Sequence, residues 1–219
     1  MTNISSVERK IAVCTLSGGL DSAVATAIMK NQGFELKCIF FDWGQKTFEK
    51  EMSCARMLAE HFESDLKIIE VPILKSLPKI SLTQNETLTV AINEYVPNRN
   101  AILETQAVAY AETIRAGVVC VGSTGGDLIC PDNSLEFISK MQALIKQGTM
   151  LKPSILLVAP LAKIDKTEAV KIGKKLGVPF EITWSCHNYT DKACGKCSNC
   201  EERIKAFSLN GLKDPIAYV

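Results

Sequence analysis

Short apolar runs alternate along the chain with longer stretches whose apolar positions recur at helical spacing. Residues 10–16 (KIAVCTL), 35–42 (ELKCIFFD), 65–71 (DLKIIEV), 118–122 (VVCVG) and 155–158 predict strands. Between and after them, residues 21–31, 46–62, 99–115, 134–146 and 166–176 predict helices, with Gly33, Gly117 and Gly177 placed to end three of them. The stretch 72–97 has little periodicity and predicts a loop or lid. Strands separated by helices of ten residues or more predict a parallel sheet covered on both faces, the doubly wound α/β class. Repeats, low-complexity tracts and linker-like segments are absent from the sequence. Residues 1–219 therefore read as one domain, with a C-terminal extension at 183–219.

Charge adds little to that picture. The 219 residues carry 25 Lys and Arg against 24 Asp and Glu, so no global field recruits nucleic acid or an anionic membrane. The first ten residues are polar, and no apolar stretch is long enough to span a bilayer. A cytoplasmic protein is expected, with no nucleic-acid or membrane partner. Nine cysteines sharpen the expectation. Cys14, Cys38 and Cys120 sit inside strand-like runs, where a reduced thiol acts as a small hydrophobe, while four others crowd near the end of the chain.

Candidate chemistry begins at the first strand–helix junction, Leu16-Ser17-Gly18-Gly19-Leu20-Asp21-Ser22. Paired glycines let the backbone approach an anion closely, and the following helix N-terminus favours phosphate through its unpaired N–H groups and dipole. Ser17 and Ser22 add hydroxyls at either end. A bare Gly-Gly turn without a ligand is the plain alternative. The segment is neither GxxxxGK[ST] nor GxGxxG. Ligands of open parallel sheets sit at the carboxyl ends of strands, which is where Phe40, Phe41, Asp42 and Gln45 fall. Phe40 and Phe41 should point to opposite faces, so at least one of them serves the core.

The second candidate is Cys186-x7-Cys194-x2-Cys197-x2-Cys200. Four thiolates can close a tetrahedral zinc site, leaving no position for water, and such a site is structural. An iron–sulfur cluster is the rival, although the Cys-Pro element of ferredoxins is missing, and disulfides come third. His187 is a conceivable substitute ligand.

The SGGLDS loop resembles that of the PP-loop ATP pyrophosphatases, which cleave ATP between its α and β phosphates. Together, SGGLDSA, FDWGQ (41–45), VPNRN (96–100), PLAKIDKTEAVKIGKKLGV (160–178) and TWSC…CGKCSNC (183–200) resemble the 7-cyano-7-deazaguanine synthase (QueC) family over nearly the whole chain. The resemblance implies ATP, Mg²⁺ and a structural Zn²⁺, a homodimer, and conversion of 7-carboxy-7-deazaguanine with ammonia to the nitrile. It also implies adenine and ribose contacts around Phe41 and Gln45. Asp21, Arg99 and Lys166 become candidate catalytic groups near the phosphates; Arg99 and Lys166 also read as solvated helix-surface charges. Residues 126–137 (GDLICPDNSLEF) depart from the family's DYSGYPDCRPEF at its tyrosine, cysteine and arginine positions. The acceptor pocket is therefore where a paralogue using another carboxylate or amide would differ. Two readings remain: a tRNA-thiolating PP-loop enzyme, opposed by the missing paired CxxC near the N-terminus and the lack of net basic charge, and a zinc-bearing nucleic-acid-binding module, opposed by the near-zero charge and the lack of a Lys/Arg-rich stripe.

Overall fold

The protein is described from a computed structural model, which covers residues 7–78, 80, 82–83, 95–125, 130–188 and 191–219. Five strands form one sheet: β1 (Ile11–Thr15), β2 (Glu35–Asp42), β3 (Leu66–Glu70), β4 (Val118–Cys120) and β5 (Leu156–Val158). Their order is β3-β2-β1-β4-β5, every pair parallel. The helices are α1 (Leu20–Asn31), α2 (Phe48–His61), α3 (Pro72–Lys75), α4 (Arg99–Thr113), α5 (Leu135–Gly148), α6 (Lys166–Lys175) and α7 (Ser198–Leu209).

Alternating side chains divide the core between the two faces of the sheet. Ala12, Cys14, Cys38, Phe40 and Cys120 pack on one face, under α1, α2, α6 and α7. Val13, Ile39, Phe41, Val119 and Val121 pack on the other, under α4 and α5. The expected opposition of Phe40 and Phe41 and the burial of the three strand cysteines both hold. The chain runs outward from β1 to β3, then returns to lay β4 on the other side of β1. That reversal is the topological switch point, and a crevice opens at the strand ends there.

Three expectations need correcting. Gly117 does not end α4: the helix stops at Thr113, and Arg115 takes the left-handed turn at φ 57°. Gly117 is required by close approach instead, since a methyl there would meet the Val7 side chain at 2.6 Å. The 72–97 stretch begins with the short helix α3, although residues 79, 81 and 84–94, half of the expected lid, lie outside the described residues. Within the C-terminal extension, Ser198–Leu209 is a full helix that the periodicity did not reveal.

Candidate active site

The β1–α1 junction has a shape that suits an anion. Gly18 adopts φ +82°, and a side chain on it would strike the carbonyl of Glu51. Gly19 is the N-cap of α1 and makes no side-chain cap hydrogen bond, which leaves the first-turn amides to an incoming ligand. Ser22 Oγ donates to the Gly19 carbonyl at 3.0 Å and accepts from the Ser17 N–H at 3.2 Å. The two hydroxyl oxygens lie 3.1 Å apart, so the loop is shaped before any ligand arrives. Just past β4, Gly122 presses against α1: a methyl on it would sit 2.8 Å from both N and Cα of Ser22. The C-terminal extension closes the other side, where Trp184 N–H donates to the Gly18 carbonyl at 2.8 Å.

Lys166, the first residue of α6, reaches this junction, 3.5 Å from Asp21 Oδ2 and 3.1 Å from Glu202. Its side chain is only 14% exposed, so the solvated-surface reading does not describe it. Burial works against its charge, but Asp21 and Glu202 outweigh burial and raise its pKa. Burial pushes the Asp21 carboxyl up, with Lys166 offsetting part of the rise, and Asp21 Oδ1 is buried without a hydrogen-bond partner. Asp165 caps α6 by accepting from Glu168 N–H at 2.8 Å, which fixes the direction from which Lys166 enters.

A cleft of about 1390 Å³ runs from this loop across the strand ends to α4. Leu16, Ser17, Gly19, Leu20, Asp21 and Ser22 line one end. Phe41 and Gln45 line it as expected, but Gln45 is also committed to the protein. Its amide donates to Phe41 O at 3.0 Å and to Glu51 Oε2 at 3.3 Å, and accepts from Trp43 N–H at 3.0 Å. Arg99 opens α4 and lays its guanidinium 5.4 Å from the centre of the Trp43 ring, within the cleft wall.

The residues not anticipated are carboxylates. Glu51 lines the cleft, its charge opposed by burial and supported by hydrogen bonds from Thr47 and Gln45. Glu104 also lines it, at 3% exposure, and its Oε2 has no partner. Burial first, and then the Asp132 charge, push the Glu104 carboxyl up to about 8. One signal for Glu104 was present in the sequence: with Ala107, Val108 and Ala111 it completes the i, i+3, i+4, i+7 stripe that faces the core. A carboxylate in that stripe breaks the pattern.

The four cysteines converge, with all Sγ atoms within 4.8 Å of one another. Cys194 and Cys200 Sγ lie 3.9 Å apart, close to the roughly 3.8 Å edge of a tetrahedron with 2.3 Å metal–sulfur bonds. Backbone N–H groups point at the sulfurs: Asn188 and Cys194 toward Cys186 at 3.4 Å each, Cys197 toward Cys194 at 3.3 Å. Burial opposes the Cys194 thiolate, but the N–H groups of Lys196 and Cys197 help bring its pKa down to about 6. His187 is outside this group and lies with Nδ1 3.4 Å from the Asn199 amide. All nine cysteines are free of disulfides.

A doubly wound sheet with a Gly-Gly phosphate loop at its switch point defines a PP-loop nucleotide-binding protein. Two solved structures share the fold: a 4-thiouridine synthetase in an RNA complex with bound ATP, and an NH₃-dependent NAD synthetase from Campylobacter jejuni. The first has a TM-score of 0.53 at 21% identity, covering 90% of this chain and 49% of the other. The second has a TM-score of 0.50 at 17% identity, covering 82% and 69%. The family model for the queuosine biosynthesis protein QueC matches residues 11–211. The 7-cyano-7-deazaguanine synthases of Methanoculleus marisnigri and Thermoplasma volcanium are each 38% identical over 221 residues. These alignments cover 95% of this chain in both cases, and 99% and 91% of the respective relatives. The chain belongs to the QueC family. No helix among the described residues is long and apolar enough to cross a membrane.

Proposed function

We propose that this protein makes 7-cyano-7-deazaguanine from 7-carboxy-7-deazaguanine, ammonia and ATP. The observation that carries the reading is the match to QueC across residues 11–211, on a chain whose phosphate loop is preshaped and open at a helix N-terminus. The acceptor carboxylate attacks the α-phosphorus and pyrophosphate leaves. Ammonia then attacks the acyl carbon, AMP departs, and an amide remains after loss of a proton. The amide oxygen is adenylated by a second ATP, and loss of AMP and the N–H protons gives the nitrile. No nucleophilic side chain is needed.

The chain's own contribution is position and charge. The α1 amides and Lys166 receive the charge that grows on the leaving pyrophosphate. Arg99, held on Trp43, supplies a second cation across the cleft. Asp21, with an unpartnered buried oxygen, fits a Mg²⁺ ion held against the phosphates, and such an ion would neutralise the leaving group. Cys186, Cys194, Cys197 and Cys200 fit zinc with no open position, so the metal would organise the fold around Trp184 rather than take part in the reaction. The homodimer and the cytoplasmic location belong to this reading through the family.

The test is incubation with ATP, Mg²⁺, ammonia and 7-carboxy-7-deazaguanine, followed by nucleotide and mass analysis. Two AMP per nitrile are expected, with AMP release dependent on the acceptor. AMP release without nitrile would weaken the synthase reading, and no AMP release with this acceptor would support adenylation of a different carboxylate or amide.

A further inference from the structure

The Glu104 carboxyl is anomalous in its place. It sits in the apolar stripe of a helix packed on the core, 3% exposed, and Oε2 has no hydrogen-bond partner. A buried carboxyl left this way is destabilising, and a site is where such a cost is retained. Its surroundings are set rather than loose. Asn100, one turn earlier on the same face of α4, donates its N–H to Asp132 Oδ2 at 2.9 Å and its amide to Asp132 O at 3.1 Å. Asn100, Leu103, Glu104 and Asn133 all line the cleft, and Asp132 neighbours both Asn100 and Glu104 there.

A metal is a poor occupant for this end. Among the described residues, the only group of three or more potential metal ligands is the cysteine cluster. An anion is a poor occupant too, because the Asp132 charge stands beside Glu104 and would repel it. What fits is a neutral surface carrying N–H donors, and the pyrimidine edge of a 2-amino-4-oxo deazapurine carries two side by side, the ring N–H and the exocyclic amine. A carboxylate accepts such a pair with its two oxygens, and rotation about the terminal torsion of a glutamate is soft enough to meet it.

We propose that Glu104 is the specificity-determining residue that accepts from the ring N–H and the exocyclic amine of the deazapurine substrate. This assignment rests on the reaction proposed above. It also orients the substrate. The acidic end of the cleft repels the substrate's own carboxylate, which then faces the phosphate loop and Lys166, where adenylation occurs. Donors brought against Glu104 favour its ionised form, whereas the empty cleft favours the protonated one.

The experiment compares wild type, Glu104→Gln and Glu104→Leu on 7-carboxy-7-deazaguanine and on its analogue lacking the exocyclic amine. In wild type, removing the amine should lower kcat/KM by about 100-fold or more, because Glu104 is left without its donor. In Glu104→Leu the two substrates should differ by only a few-fold. KM for the full substrate should rise at least about tenfold, while KM for ATP stays unchanged. Calorimetric titration of both compounds gives the same comparison for a variant that turns over slowly. Wild-type turnover with equal discrimination in Glu104→Leu overturns the assignment of Glu104 alone. Wild-type protein that forms no nitrile overturns the reaction on which the assignment rests.

Discussion

Two glycines with similar dihedral angles separate a functional constraint from a conformational one. Gly18 and Gly33 both have positive φ, at +82° and +77°. Around Gly33 a methyl meets nothing within 4 Å, whereas at Gly18 it meets the backbone of α2. Gly33→Ala should cost about 1–2 kcal/mol of stability, the ordinary expense of a left-handed residue, and leave ATP-dependent turnover unchanged. Gly18→Ala should cut kcat/KM for ATP at least tenfold, about 1.4 kcal/mol, because the loop must shift to clear Glu51. Thermal melts and AMP release on both variants check the contrast. Glu104 makes a prediction in pH. Its folded-state pKa of about 8 lies above its ordinary value, so between the two the folded protein holds a proton that the unfolded chain has lost. Stability from this group is complete at acid pH and declines as pH rises through 8. In Glu104→Gln that part of the slope should vanish, read as a flatter plot of melting temperature against pH between 5 and 9.

Helix α6 shows how an element delivers a residue. Its N-cap, Asp165, and its first residue, Lys166, are neighbours, so cap and function share one joint. Asp165→Ala should lower stability by about 1 kcal/mol and the melting temperature by about 2–4 °C. It should also raise KM for ATP, because the frayed first turn releases Lys166 from Asp21; Asp165→Ser should restore both. This element was legible in the sequence because its apolar spacing and closing Gly177 agree. So were the five strands and the α1 loop, each carrying strong local signals. Helix α7 was hidden. Its buried face is Cys200, Arg203, Ala206 and Phe207, and only the last two read as core. Nothing local foretells that Arg203 will be buried, since its partners lie in other segments. Asp214 accepts at 2.8 and 3.1 Å, Thr183 Oγ1 at 2.7 Å and Phe180 O at 3.0 Å. Glu104 was hidden for a related reason: its meaning depends on a cleft assembled by β2, α4 and the segment around Asp132.

At the scale of the molecule, the C-terminal extension is a wall of the cleft beside the β1–α1 loop rather than an appendage. Trp184 bonds the phosphate loop, its indole donates to Cys186 O at 2.8 Å, and Lys50 of α2 lies 4.8 Å over its ring. Cys54 of α2 packs into the same small cluster as Cys186, Cys194 and Cys200. Arg203 ties α7 to the turn before Trp184 and to Asp214, which also receives the Tyr218 hydroxyl. The cysteine cluster and Trp184 stand apart from the two apolar layers on the sheet, whereas Phe180, Ala206 and Phe207 belong to the first of those layers. Removing zinc should therefore loosen the extension and leave the sheet folded. Chelation under reducing conditions should shift Trp184 fluorescence, raise KM for ATP several-fold and deprotect the Trp184 amide in hydrogen exchange, while the β1 and β4 amides stay protected. One zinc per chain should reverse all three changes. If the chelated protein keeps its KM for ATP while the cysteines are demonstrably metal-free, the extension does not hold the loop through zinc. The link from Trp184 to Gly18 would then rest on contacts that need no metal, those of Arg203 and Lys50 among them, and Arg203→Met should weaken it.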